Sequence, residues 1–123
     1  MPARLRPLPD DDLAEVLRRL DTAGAPGPAV VGDERAAVKH FLAVLASRYP
    51  GRSVEVRVPP YAAVQCVVGA SHTRGTPPAV VETDATTWLA LARGRMTFAE
   101  AVSAGMVRAS GERSDLSEQL PLL

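Results

Sequence analysis

Apolar positions recur at helical spacing from Asp10 onward, where Leu13, Val16, Leu17 and Leu20 fall on one face of a helix. Asp10, Asp11 and Asp12 stand at its positive end, and Glu15 can pair with Arg19 one turn on. The glycine- and proline-rich run from Thr22 to Gly32 reads as a connection. Asp33 is then the expected cap of a second helix, with Val38, Phe41, Leu42 and Leu45 inward and Tyr49-Pro50-Gly51 ending it. His40 lies off that stripe, which makes it a surface histidine on this reading.

Past Arg52 the period changes from helical to alternating. Val54, Val56 and Val58 point one way, and Glu55 and Arg57 the other. Pro59-Pro60 makes a turn, and Val64, Cys66 and Val68 then alternate with Ala63, Gln65 and Val67, predicting an antiparallel pair. Both faces of this second strand are largely apolar, which suits a strand covered by helices on one side and by a ligand on the other, or simply a central strand. Residues 69–78 form an aperiodic polar loop, and Ala79 to Thr83 a further short strand. Within that strand Glu82 is either an outward residue or a partner for an arginine.

The stretch from Thr83 to Gly111 carries the densest local signals. Asp84 caps a helix whose face holds Trp88, Leu91 and Ala92, and Gly94 closes it. Thr97 and Glu100 stand at the spacing of a capping box for the next helix, whose buried stripe is Phe98, Ala101 and Val102. Gly105 stops that helix, and Met106 to Ala109 reads as a strand with Met106 or Val107 inward. Beyond Gly111, Ser114 or Asp115 is the expected cap of a last helix presenting Leu116 and Leu120, with Pro121 at its end.

These elements predict an α/β, more strictly α+β, domain in which an antiparallel sheet carries helices mainly on one face. At 123 residues the chain is one domain, 1–123, able to take about two thirds of its unfolded surface out of water. Residues 1–9, with Pro2, Pro7 and Pro9, read as a flexible arm.

Charge narrows the function. Acidic and basic residues balance at 14 each, so no overall field draws the protein to nucleic acid, and contact with a membrane surface is at most transient. The lone cysteine, Cys66, excludes an internal disulfide, and with no secretory leader or apolar spanning run a cytoplasmic location is expected. Cys66 reads as a small core residue, since nothing nearby in sequence would lower its pKa.

Candidate chemistry is sparse. Ser71, His72 and Asp84 are triad residue types without an elbow motif, and the two histidines and one cysteine lack metal-ligand spacing. The chain is therefore expected not to be an enzyme, and to need no metal or cofactor. Polar side chains gather only in the 69–78 loop, where His72 and Arg74 are candidates for holding an anionic or polar head group.

Thr83-Asp84, Trp88, Gly94-Arg95-Met96, Phe98 to Ala101, Gly105-Met106-Val107 and Gly111, followed by a leucine-rich end, resemble the C-terminal half of the sterol carrier protein superfamily. With VEVRVPPYAAVQCV and HTRGTPPAVVETD upstream, the chain looks like the small stand-alone actinobacterial sterol carrier family proteins. The resemblance implies about five strands and an apolar cavity between the sheet and the C-terminal helices. It implies a non-catalytic carrier of a fatty acyl, isoprenoid or sterol-like ligand. Candidate lining residues are Val64, Cys66, Trp88, Leu91, Phe98, Val102, Met106, Leu116 and Leu120. The alternative is an interaction module or homodimer on the same fold, docking through apolar surface near Trp88, Leu122 and Leu123 without a lipid.

Overall fold

The computed structural model describes residues 5–24, 27–69, 78–111 and 114–123. Two helices, α1 (Asp10–Thr22) and α2 (Pro28–Arg48), lead into β1 (Val54–Val58) and β2 (Ala62–Cys66). There follow β3 (Ala79–Thr83), α3 (Ala85–Ala92), α4 (Phe98–Ser103) and β4 (Val107–Ser110), giving an α+β domain.

The described sheet has four strands in the order β2-β1-β3-β4, where about five had been expected. It is also mixed and not wholly antiparallel. β2 folds back on β1 through the Pro59-Pro60 turn, with Val54 opposite Cys66 and Val58 opposite Ala62. β3 then joins the other edge of β1 and runs parallel to it, Val56 facing Val81, while β4 returns antiparallel to β3. Because β3 takes that edge, β2 is an edge strand, not the central strand that its apolar composition suits. The connection out of β2 is fixed at its start by Val67. This residue has φ +65°, costly for a β-branched side chain, and is held there by its N–H donating to Tyr49 O and its carbonyl accepting from Ser53 N–H.

The alternation in β1 is realised as written: Val54, Val56 and Val58 are fully buried, with Cys66, Ala79, Val81 and Val107 on the same side by register. α2 packs against β2 and also against α1 and α3. It is therefore covered around much of its girth, and Ala37, Val38, His40, Phe41, Leu42, Ala43 and Leu45 are all buried.

Two boundaries differ from expectation. α2 begins at Pro28, whose missing N–H costs nothing in a first turn, so Asp33 lies inside the helix and its carboxylate receives Arg19 of α1. The expected last helix is a single turn over residues 117–119, because the Asp115 carboxylate accepts from both the N–H and the hydroxyl of Ser117 and Pro121 follows directly. In the described part of the arm, Leu5 and Leu8 pack at the margin of the core.

Between these, the local signals of the 83–111 stretch survive intact. Asp84 accepts from Thr87 N–H at 2.7 Å, and the Thr97–Glu100 capping box is formed from both sides. Gly94 and Gly105 adopt the left-handed backbone, φ +75° and +73°, that closes each helix.

Candidate functional site

The apolar lining predicted from sequence divides in three. Cys66, Trp88, Leu91, Phe98 and Leu116 are buried in one continuous cluster with the inner face of the sheet and with Phe41, Leu42 and Leu45 of α2. Val64 and Leu120 pack half-buried against that cluster. Val102 and Met106 stand outside it, 43% and 42% exposed. In α4 only Phe98 and Ala101 turn inward, and in the strand that follows it is Val107, not Met106, that reaches the core.

The cluster is held by more than contact. The indole N–H of Trp88 donates to Val38 O at 3.3 Å, so α3 is pinned to α2 by the largest side chain in the core. Burial alone pushes the Cys66 thiol up to about 11, which keeps it protonated and inert at neutral pH, as an apolar residue.

The C-terminal segment 114–123 covers the end of α3. Leu116 and Leu122 are buried, and Leu122 N–H donates to Ala92 O at 2.8 Å, capping the last turn of that helix. Among the described residues its other backbone hydrogen bonds are internal, Leu116 O accepting from both Gln119 and Leu120. Two buried polar atoms, Thr87 Oγ1 and Gln119 Oε1, have no hydrogen-bond partner among the described residues. Neither was singled out from sequence, since a threonine within a helix and a glutamine near the terminus carry no pattern of their own.

A cleft of about 290 Å³ opens elsewhere, at the junction of β3, β4 and the turn after β1, lined by Pro59, Glu82, Thr83, Asp84, Gly105, Met106 and Arg108. The Thr83 hydroxyl donates to Met106 O, and the Asp84 carboxylate is engaged with Thr87 N–H. Glu82 sits in register between Arg57 and Arg108, while the Arg57 guanidinium is held by Glu55. Thr83 and Asp84 are occupied in holding the chain.

His72 and Arg74 lie outside the described residues. The third triad type, Asp84, is committed to its cap. Among the described residues no group of three His, Cys, Asp or Glu side chains could hold a metal ion, and no helix is long and apolar enough to cross a membrane.

The surface histidine expected at position 40 is instead 6% exposed, with its Nδ1 accepting from Leu8 N–H at 2.8 Å and its ring edge against Phe41. The stripe of α2 is wider than its strongest apolar residues suggest, because α1 and the arm cover a second flank.

A family model described as a bacterial SCP ortholog matches residues 32–122. No curated protein matches the chain. The matched range takes in α2 almost whole, the sheet, α3, α4 and the C-terminal segment.

Proposed function

The chain belongs to the sterol carrier protein-like family, and we propose that it is a non-catalytic carrier of a hydrophobic ligand with a fatty acyl, isoprenoid or sterol-like body. The observation that carries this reading is the family match over 32–122, a range that contains every proposed lining residue. Cys66, Trp88, Leu91, Phe98 and Leu116 would face the ligand, with Val64 and Leu120 at the margin and Val102 and Met106 as an outer apolar rim. His72 and Arg74 would meet a polar or anionic head, and cytoplasmic residence fits a carrier that loads and unloads in water.

The apolar cluster is filled by side chains, so entry of a ligand requires something to yield. The 114–123 segment covers the end of α3 without being a helix, and among the described residues Leu122 N–H to Ala92 O is the backbone bond that ties it there. Displacing it would open the end of α3 and the side of Leu91. A chain of ~16 carbons gains about 12 kcal/mol gross on burial, at about 0.8 kcal/mol per methylene. Association costs of roughly 4 to 15 kcal/mol offset most of that. The balance suits reversible loading without any catalytic group.

Native mass spectrometry of freshly purified protein, followed by organic extraction, tests the reading. A stoichiometric lipid is expected. An empty protein that also fails to take up fluorescent fatty acid and sterol overturns it. Arg74→Ala is expected to weaken a fatty acid about tenfold, the loss of one charge-assisted hydrogen bond, and to leave a neutral sterol unaffected; equal loss for both would remove the head-group role.

The exposed Val102 and Met106, with Leu123 67% exposed, favour a second reading in which the same fold docks a protein partner or a second copy. A lipid-free protein whose mass rises with concentration would select it.

A further inference from the structure

The arm and α1 precede the family-matched range, and they are fastened to it in two chemically different ways. At the C-terminal end of α1 the fastening is ionic. Arg19 binds the Asp33 carboxylate with two hydrogen bonds, and Asp21 receives Arg93 in the same forked geometry, with Arg95 at 3.5 Å. At the other end, among the described residues, it is one neutral hydrogen bond from Leu8 N–H to His40 Nδ1.

That bond has a strict protonation requirement. An imidazole nitrogen accepts only while it carries no proton, so the ring must be neutral with its hydrogen on Nε2. A second proton would sit on Nδ1, donor against donor, at 2.8 Å from the Leu8 nitrogen. The segment has little to replace the lost bond: Leu8 lies between Pro7 and Pro9, neither of which has an N–H, and Pro9 O is already taken by Leu13 at the start of α1. What remains is the half-buried packing of Leu5 and Leu8.

We propose that the His40–Leu8 contact is a protonation-sensitive latch: the neutral imidazole holds residues 5–9 on α2, and protonation releases them while α1 stays docked. Of the charges on the surrounding elements, Arg6 in the arm, Asp10, Asp11 and Asp12 in α1 and Lys39 on α2, only Asp10 acts appreciably on the ring, favouring its charged form. Burial acts the other way and more strongly, holding His40 below the ordinary histidine value. The latch therefore stays shut at neutral pH and opens only as pH falls below the ordinary histidine range. The ionic fastening persists through that range, because Arg93 holds the Asp21 carboxyl down to about 2 and Arg19 lowers that of Asp33. Release uncovers the His40 flank of α2 together with Leu5 and Leu8, a local change at the margin of the core.

The test is proton–nitrogen NMR of the full-length, uniformly labelled protein between about pH 7.5 and 4.5. It follows the His40 ring nitrogens and the Leu8 amide protection factor, corrected for the intrinsic pH dependence of exchange. Protection at Leu8 is expected to fall about tenfold, with the same midpoint as His40, and that midpoint to lie below that of a histidine model peptide. His40→Asn offers an amide oxygen that accepts but cannot titrate, so Leu8 protection is expected to stay flat across the range. Asp10→Asn removes the one charge that favours the protonated ring, and both midpoints are expected to move to lower pH together. Titration of His40 with no change at Leu8 would overturn the proposal, as would pH-dependent loss of protection in His40→Asn or a shift of one midpoint without the other in Asp10→Asn.

Discussion

The stretch from Thr83 to Gly111 and the N-terminal layer of arm, α1 and α2 are stabilised by contacts of opposite range. In the first, the groups that set the helix ends lie three positions apart, Asp84 with Thr87 and Thr97 with Glu100. In the second, Leu8 reaches His40, Arg19 reaches Asp33 and Asp21 reaches Arg93, separations of 32, 14 and 72 residues. A segment of the first kind is shaped before it packs. One of the second kind has its ends decided by what it packs against, and it is the kind that can be unfastened piece by piece.

Trp88 is where that division is weakest and where the largest effect is expected. It belongs to the locally specified stretch, yet its indole N–H bonds Val38 O, 50 residues away, and its ring fills the space between α3 and α2. Trp88→Ala removes that packing and the indole bond to Val38 O, for a loss of about 3–5 kcal/mol. Urea denaturation is expected to show a large drop in midpoint with the slope little changed. A loss below about 1 kcal/mol would mean that the two regions are joined elsewhere and that the comparison is wrongly drawn.

The same difference in range accounts for what could be read from the chain. The alternation of Val54, Val56 and Val58, the Pro59-Pro60 turn, the Asp84 cap, the capping box and the closing glycines all depend on neighbours in sequence, and all appear as written. The pairing of β3 with β1 does not: it depends on which edge the connection after Cys66 reaches, and no residue in β3 encodes that. Asp33 is a good cap by type, but Arg19 from another helix claims it and Pro28 supplies an earlier start. His40 looks like a surface residue until α1 and the arm cover its flank. At the candidate site, buried positions such as Leu91 and Leu116 were legible by period, whereas Val102 was not. A helix of six residues, Phe98–Ser103, buries a narrow face, and Phe98 with Ala101 completes it.

Thr97→Ala sharpens the local side of the comparison. It removes the acceptor for Glu100 N–H and leaves α4 to start without its reciprocal bonds, a cost of about 1 kcal/mol. The effect is expected to stay within α4 and the turn to β4, with amide exchange faster from Phe98 to Met106 and unchanged in α1. Faster exchange at Arg19 or Asp21 would show that the C-terminal stretch is not shaped on its own.

The smallest effect belongs to the long-range ionic fastening, and pH separates it from the rest. Asp21 is more acidic folded, about 2, than unfolded, so its contribution is fully present above its unfolded value and is lost as pH falls through about 2. Because Asp21 is open to water, the Arg93 pair is worth about 0.5 kcal/mol, and the solvent screening that limits it is deepened by added salt. Asp21→Asn is therefore expected to be slightly less stable than the unmodified protein at pH 6 and to converge with it as pH approaches 2. An acid titration of the unmodified protein is expected to free the arm first and the end of α1 last. If the two stability curves instead converge in the range where His40 titrates, the two ends of α1 are not fastened independently, and the N-terminal layer comes away as one piece.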